Sequence, residues 1–483
     1  MNLALVQHVL GLLLMLFSLW MLPPAGVAWW YRDGDTAHFL TSFAITFAAG
    51  ALLWFPQRRL KRDLRLRDGF LIVALFWFAL GTFGAMPLVL APHPQMSFTD
   101  AVFEAVSGFT TTGATVLTGL DALPPSINYY RTQLQWLGGM GVVVLAVAIL
   151  PMLGIGGMQL YRAETPGPGK DAKLTPRITE TAKALWYAYF VLTAACVVAY
   201  WLAGMTLYDA ICHAFATLST GGYSTHDASM AYFKSPLIEA LAIVFMVLGA
   251  TNFSLHFLAF RNLSVRPYVD DVECRAFILL LFVFGSVVGG VLYLSGGYGD
   301  PGEAALKGLF QVVSLMTSTG FTTADYTVWP GMLPVLLILV TFIGGCGGST
   351  GGGMKVVRIY LLYKQAAREV IRLIHPSAEL PVKVGDKAVE PRVVDAVWGF
   401  CFIYIAVYVA MMLLVIAAGN DQVTAFSAVA TCINNAGPAL GKVAANFTAL
   451  DDFSKWVCIF AMLIGRLEVF TVLVILTPAF WQK

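Results

Sequence analysis

Long apolar segments alternate with short polar ones along the whole chain. Ten of these segments are suited to cross about 30 Å of hydrocarbon as helices, which predicts a polytopic membrane protein. The eighth is interrupted by glycines after Ile343 and resumes near Met354. The predicted spans are residues 3–23, 37–56, 70–91, 129–153, 184–204, 237–260, 276–296, 332–345, 396–418 and 455–479.

Four shorter apolar stretches lie between pairs of these spans. They are too short to cross a bilayer, and they suit re-entrant helices, which persist at membrane depth only when protein or a wet cavity surrounds them. Each stretch runs into a polar turn that contains glycine. The four stretches are residues 99–109, 208–218, 306–316 and 423–433.

The four turns align without gaps at residues 107–114, 216–223, 314–321 and 431–438. Each reads as an apolar residue, two small hydroxyl or amide residues, a small residue and a glycine. Each following span carries a further glycine, which we interpret as a helix-packing position, since small residues let membrane helices approach closely. These glycines are Gly138, Gly249, Gly344 and Gly465.

This repetition predicts the fold class. We expect an all-α polytopic membrane protein, with four pseudo-repeated helix–pore-loop–helix units around one pore and two additional N-terminal transmembrane helices. The predicted division is 1–68 for the N-terminal extension, 69–160 for repeat 1, 161–268 for repeat 2, 269–392 for repeat 3 with an intramembrane gating loop, and 393–483 for repeat 4.

Composition and charge support a bilayer protein. The chain of 483 residues is 58% hydrophobic and 12% charged, with a net charge of only +2, which indicates no nucleic-acid partner. Most lysines and arginines fall in alternate loops, an asymmetry that predicts cytoplasmic termini. The seven cysteines form no CxxC pair, and we interpret them as buried thiols rather than a disulfide framework or a metal site.

The turns suit a dehydrated cation. Rings of main-chain carbonyls replace the hydration shell in potassium filters. Glycine tolerates the positive φ angles that such a backbone requires, and small hydroxyl or amide neighbours can bond the turn from behind. The C-terminal ends of the preceding short helices would favour a cation at the same place.

These features together resemble the Trk/Ktr/HKT superfamily of potassium transporters, and most closely its bacterial TrkH/TrkG type. The four turns, the glycine-rich break at 344–353, the two extra N-terminal spans and the linker 164–177 carry the resemblance. The resemblance implies potassium uptake across the cytoplasmic (inner) membrane of a bacterium. It also implies K⁺ binding by the filter residues Phe109, Thr110, Thr111, Thr112, Gly113, Leu218, Ser219, Thr220, Gly221, Gly222, Met316, Thr317, Ser318, Thr319, Gly320, Ile433, Asn434, Asn435, Ala436 and Gly437.

Two details of the filter matter for selectivity. Family members with serine at the first filter glycine tend to favour sodium, whereas all four positions are glycine here, which favours potassium. The second turn has two adjacent glycines, so either Gly221 or Gly222 matches the others. The fourth turn has two asparagines and Pro438, so the filter need not be fourfold symmetric.

The glycine-rich segment within the eighth span is a candidate gate. Glycine lowers helix propensity by about 1 kcal/mol per residue, so the segment should unwind at membrane depth. In the family the corresponding loop blocks the pore. Arg466, a costly buried arginine, would face the pore beneath the filter, or it would pair with Glu468 or loop carbonyls. The loop comprises Gly344, Gly345, Cys346, Gly347, Gly348, Ser349, Thr350, Gly351, Gly352 and Gly353.

The resemblance further implies a homodimer that binds a cytosolic ring of TrkA-type regulatory subunits. NAD(H) and ATP or ADP would bind that partner, since this chain has neither a Walker A motif nor a dinucleotide-binding glycine motif. The loop 364–392 is either a partner-binding surface or a solvated charged loop. Membrane lipids would surround the spans.

Other interpretations stay open. Within transport, the alternative is a sodium-permeable or proton- or sodium-coupled symporter of the same fold. A membrane enzyme would need catalytic carboxylates or a metal cluster at membrane depth, and no HExxH-like set appears. A scaffold would not need four turns in register. We interpret His213 and His226 as structural, and Asp100 and Asp209 as helix caps.

Overall fold

The apolar segments fold into helices that enclose the four short ones. The computed structural model describes residues 3–57, 66–144, 178–378, 380–467, 474–475 and 477–481. Across these residues almost every regular element is a helix, which confirms the predicted all-α class. The segment 58–65, the linker up to residue 177 and Glu468 lie outside the described residues.

The N-terminal extension is a pair of antiparallel spans. A 3₁₀ turn at Leu19–Met21 joins its first two helices into one span of 29 residues, Leu3–Tyr31. The spans cross where Gly11 and Gly50 face each other, so that no side chain separates the two backbones. The helices are α1 (Leu3–Ser18), α2 (Leu22–Tyr31) and α3 (Thr36–Trp54), followed by a 3₁₀ turn at Phe55–Gln57.

The remaining helices follow the predicted repeats. In the first are α4 (Leu66–Gly84), α5 (Met86–Leu90), α6 (Phe98–Phe109) and α7 (Pro125–Val144). In the second are α8 (Ile178–Leu202), α9 (Leu207–Leu218), α10 (Pro236–Gly249), α11 (Phe253–Asn262) and α12 (Arg266–Asp270). In the third are α13 (Val272–Leu294), α14 (Pro301–Met316), α15 (Leu333–Thr341) and α16 (Val356–Ile374). In the fourth are α17 (Pro391–Ala417), α18 (Gln422–Ile433), α19 (Asp452–Arg466) and α20 (Pro478–Trp481).

Six helices of the described residues are long and apolar enough to span a bilayer alone. The predicted span 237–260 is instead two helices, α10 and α11, bent by 99° at residues 250–252. The carbonyl of Ala250 accepts the N–H of Cys346 at this break, so the bend places main-chain groups against the glycine-rich loop. The predicted span 332–345 is helical only over α15, because the glycines end it.

The four short helices match the predicted re-entrant stretches closely. Each begins at a hydroxyl or carboxylate cap, which satisfies one of its unpaired N–H groups. In α6 and α9 the cap is not the predicted aspartate, because Ser97 and Thr206 bond the N–H groups of Asp100 and Asp209. Asp300 and Asp421 cap α14 and α18.

The centre of the bundle is formed by these short helices. Residues 101–109 of α6 are buried, whereas the long helices expose large apolar side chains such as Leu294 and Phe402. Exposed apolar side chains on a helix of this length suit contact with lipid. A helix with orphan carbonyls at its end can lie at membrane depth only in such a protected centre.

The predicted loop 364–392 is partly regular. It contains the end of α16 and a hairpin of β1 (Lys383–Val384) and β2 (Lys387–Ala388), paired antiparallel. Val382 and Val389 of the hairpin pack with α16 and α17 in a small apolar cluster of their own. The segment is therefore a folded appendage rather than a free loop.

The glycine contact between α1 and α3 can be tested. A methyl group at Gly11 would lie 2.6 Å from the carbonyl oxygen of Gly50, so the helices must separate. We expect Gly11→Ala to lower the free energy of unfolding by about 1–3 kcal/mol, as overpacking does. Thermal unfolding in detergent measures this. Gly26→Ala is the control, since nothing lies within 4 Å of its added methyl group; equal stability of the two variants would contradict the prediction.

Candidate ion-binding site

Each short central helix ends in the same main-chain turn. In α6 the N–H of Thr111 bonds the carbonyl of Gly108, and the N–H of Thr112 bonds that of Ser107. This pair of bonds is the Schellman motif. Its longer bond is 2.8 Å in all four turns, and it joins Thr112 to Ser107, Gly221 to Ala216, Thr319 to Ser314, and Ala436 to Thr431.

Two residues of every turn have a left-handed backbone. The fifth residue is a glycine, with φ between 77° and 85°, at Gly113, Gly222, Gly320 and Gly437. The third residue is not glycine, and its φ lies between 53° and 60° at Thr111, Thr220, Ser318 and Asn435. A left-handed conformation costs an ordinary residue about 1–2 kcal/mol. The turns are therefore strained at a position that the sequence marks only by a small hydroxyl or amide side chain.

The bonds of the turn fix the direction of its carbonyls. The C=O of the third residue and the N–H of the fourth share one planar trans peptide, so they point in opposite directions. Because every fourth N–H returns to its own helix, every third carbonyl points away from it. No hydrogen-bond donor within the described residues reaches these oxygens, on Thr111, Thr220, Ser318 and Asn435. Such buried acceptors still need a partner.

The four turns form a closed ring. A methyl group at Gly113 would lie 2.1 Å from the carbonyl oxygen of Gly221, so the glycine backbone rests directly on the next turn. The same relation holds at each following turn, until the fourth meets the first. The corresponding distances are 1.9 Å from Gly222 to Thr319, 2.4 Å from Gly320 to Ala436, and 2.7 Å from Gly437 to Thr112.

The ring also separates the two adjacent glycines of the second turn. Gly222 has the left-handed conformation of the other three ring glycines. Gly221 instead supplies the carbonyl that Gly113 contacts, the part played by Thr319 in the next turn. Gly222 is therefore the conformational match.

A second set of glycines supports the turns from behind. Methyl groups at Gly138, Gly249 and Gly465 would lie 1.8, 3.0 and 2.0 Å from the carbonyl oxygens of Phe109, Leu218 and Ile433. These three are the packing positions that the sequence predicts. Gly344 differs, because it has φ of 77° and packs against Gly352 of the glycine-rich loop.

Polar side chains bond the turns from behind. In the first and third turns two threonine hydroxyls pair at 2.7 Å, Thr110 with Thr112 and Thr317 with Thr319. In the fourth turn, Asn435 donates to the Thr112 hydroxyl across the ring. These contacts agree with the expectation that small polar side chains hold the backbone.

Sequence reasoning missed two supporting groups on α7. Gln135 donates to the carbonyl of Gly221 at 2.6 Å and accepts from the N–H of Tyr223, so it brackets the second turn. Arg131 pairs with the buried Glu104 at 2.8 Å and lies over the Tyr223 ring. A glutamate on a short helix with an arginine on the following span was the available signal.

The predicted glycine loop, residues 344–353, lies directly against the ring. It has no helix between α15 and α16, as its composition predicts. The hydroxyl of Thr350 donates to the carbonyl oxygens of Leu218 and Gly249 at 3.0 and 2.9 Å. The N–H of Gly352 bonds the Ser318 hydroxyl, and the N–H of Gly353 bonds the Asn434 carbonyl. The loop therefore bonds the second, third and fourth turns.

Arg466 ends α19 beside this loop. Its side chain is buried, and its Nη1 donates to the carbonyl of Thr350 at 2.8 Å. Nε and Nη2 find no acceptor within the described residues. The contact agrees with the expectation that Arg466 bonds loop carbonyls.

Ion pairs link the opposite ends of the short helices. Lys455 bonds Asp100 at 2.7 Å, and Lys307 bonds Glu239 at 2.6 Å. In the loop after α6, burial raises the pKa of Asp121, but its bonds with His226 and a main-chain N–H outweigh burial and leave the pKa below its ordinary value. His213 bonds the Asp209 carbonyl and the Ser224 hydroxyl, which suits a structural role.

Side-chain metal ligands are not gathered anywhere in the described part of the chain. No group of three or more His, Cys, Asp or Glu side chains there could hold a metal ion. The seven cysteines are free thiols, six of them buried. A cation at this site would have to bind main-chain oxygens instead.

A closed ring of four re-entrant turns inside a bundle of apolar helices defines a polytopic membrane transport protein. Residues 36–483 match the TrkH family, described as "Cation transport protein". The Trk system potassium uptake proteins TrkH of Vibrio parahaemolyticus and of Halomonas elongata are 56% and 53% identical to this chain, over 480 and 485 residues. These alignments cover 99% and 100% of both partners, respectively. TrkG of Escherichia coli K12 is 42% identical over 478 residues, covering 99% of this chain and 98% of TrkG.

A solved structure agrees with these relatives. The crystal structure of the potassium transporter TrkH from Vibrio parahaemolyticus superimposes with a TM-score of 0.93, at 53% identity and over the full length of both chains. The chain therefore belongs to the TrkH family of the Trk potassium transporter superfamily. It is a transport protein and not an enzyme.

The glycine ring predicts a sharp effect of one methyl group. We expect Gly222→Ala to lower thermal stability and to reduce cation uptake by proteoliposomes at least tenfold (about 1.4 kcal/mol). The added methyl group would lie 1.9 Å from the Thr319 carbonyl oxygen, and alanine disfavours φ of 77°. Gly290→Ala is the control, with open space around the methyl group. Uptake equal to that of the control would contradict a role for this contact.

Proposed function

We propose that this chain takes up potassium through the four-turn ring, which acts as a selectivity filter. The filter would use oxygens of residues 109–113, 218–222, 316–320 and 433–437. The cyclic order of glycine–carbonyl contacts carries this proposal, because it gathers buried, outward-turned carbonyls from all four repeats around one axis. Uncharged carbonyl rings exchange with a monovalent cation's hydration shell without trapping the ion.

Potassium is favoured over sodium as the substrate for two reasons. The relatives that align over the full chain are named potassium uptake proteins. Glycine occupies the ring position in all four turns, where the sequence comparison within the superfamily associates serine with sodium.

We propose further that the glycine loop is the gate. It bonds three of the four turns and is held by Arg466, so it lies where it would obstruct an ion leaving the ring. Opening then requires breaking a small set of main-chain bonds rather than rearranging the bundle.

The assembly that we propose is a homodimer in the bacterial inner membrane, surrounded by lipid, with both termini in the cytoplasm. The positive charge of alternate loops supports this orientation. A cytosolic ring of TrkA-type subunits, carrying NAD(H) and ATP or ADP, would control the gate. The relatives' names place them in a Trk system, and the basic helix α16, which follows the glycine loop, offers a route for coupling.

The test of the proposed function is uptake of radioactive rubidium into proteoliposomes. We expect potassium to compete strongly and sodium weakly at equal concentration, and expression to rescue growth of a potassium-uptake-deficient strain. Equal competition by sodium would favour the sodium-permeable alternative. Dependence on an imposed proton or sodium gradient would favour the coupled symporter.

Arg466 gives a separate prediction for the gate. We expect Arg466→Ala, or deletion of residues 347–352, to raise rubidium flux about tenfold, because a hydrogen bond from a charged group stabilises by about 1.5–3 kcal/mol. Arg261→Ala removes an exposed arginine and serves as the control. Flux that matches the control would rule out Arg466 as part of the gate.

A further inference from the structure

Glu273 contacts the glycine loop from the side away from Arg466. It lies near the start of α13 and is only 6% exposed. Its Oε1 accepts the N–H of Gly347 at 2.7 Å and the N–H of Val357 at 3.1 Å. A buried carboxylate requires partners, and both of these partners belong to one continuous segment, the loop and the helix after it.

The second partner makes Glu273 a helix cap supplied from another helix. Val357 is the second residue of α16, and the residue before the helix, Lys355, makes no side-chain cap bond. The first N–H groups of a helix lack partners within it and carry partial positive charge. The Glu273 carboxylate therefore satisfies an orphan donor and the helix dipole together.

The junction between the loop and α16 is strained. Lys355 has φ of 78° and ψ of 137°, a combination that residues other than glycine avoid. Its Nζ bonds the carbonyl of Gly351. Such strain persists only where the surroundings hold the backbone. The two Glu273 bonds, to residues on either side of Lys355, provide that hold.

We propose that Glu273 is a positioning residue that latches the glycine loop closed by tying it to the start of α16. The inference rests on the proposed function of the loop as the gate. Because one carboxylate bonds both Gly347 and Val357, displacement of α16 would weaken the cap and release the loop together. The loop is thus held by Thr350 and Arg466 towards the ring and by Glu273 at the helix that leads away from it.

The test compares Glu273→Gln, Glu273→Asp and the control Asp271→Asn in the full chain. Glutamine keeps the size but loses the charge, and aspartate keeps the charge with a shorter reach. Asp271 caps α13 through the N–H of Cys274, a role that asparagine also fills. Hydrogen exchange of peptides spanning 344–357 reports the latch directly, and rubidium flux into proteoliposomes reports the gate.

We expect exchange in 344–357 to accelerate about tenfold in Glu273→Gln, equivalent to about 1.4 kcal/mol. Glu273→Asp should be intermediate, and Asp271→Asn unchanged. Peptides spanning 107–114 should exchange as in the original chain in every variant, which separates a latch from general unfolding. We expect flux to rise with exchange.

The outcomes separate the two proposals. Faster exchange without increased flux would keep the latch and overturn the loop as the gate. Unchanged exchange in 344–357 in both Glu273 variants would overturn the latch, whatever the flux. Faster exchange that also spreads to 107–114 would overturn it too, because Glu273 would then stabilise the fold in general.

Discussion

The planarity of one peptide group in each turn determines how the centre of this protein is built. The N–H of that group bonds back to its own short helix at 2.8 Å in every repeat, so its carbonyl must face the other way. Four helix ends with different sequences thereby present the same main-chain surface. The surrounding helices keep these ends away from lipid, where unpaired backbone groups are not tolerated.

Much of the fold follows from the sequence because hydrophobic length and glycine position are local signals. The bounds of α6, α9 and α18 agree with the prediction to within a residue or so, and α14 starts a few residues earlier. The bend between α10 and α11 could not be predicted, since its cause is a contact with residues about 100 positions later. The left-handed Thr111, Thr220, Ser318 and Asn435 escaped for a similar reason: propensity disfavours them, and only the helix-end bonds hold them there.

The site is symmetric in its backbone and asymmetric in its supports. Threonine pairs hold two turns, Gln135 brackets another, and Asn435 reaches across to a neighbouring repeat. The glycine loop bonds three turns, and the Thr111 hydroxyl of the remaining turn has no partner within the described residues. A single chain with four unlike repeats can place such different supports around one axis, which four identical subunits could not do.

The head-to-tail contact of each ring glycine with its neighbour has an evolutionary consequence. A change of volume at one turn is transmitted to the turns on either side of it, much as a reshaped stone disturbs an arch. The tolerated residue at any of these positions should then depend on the adjacent repeats more than on its own. Epistasis within this protein should accordingly run around the ring, and divergence of the duplicated units should proceed by compensating pairs across their boundaries.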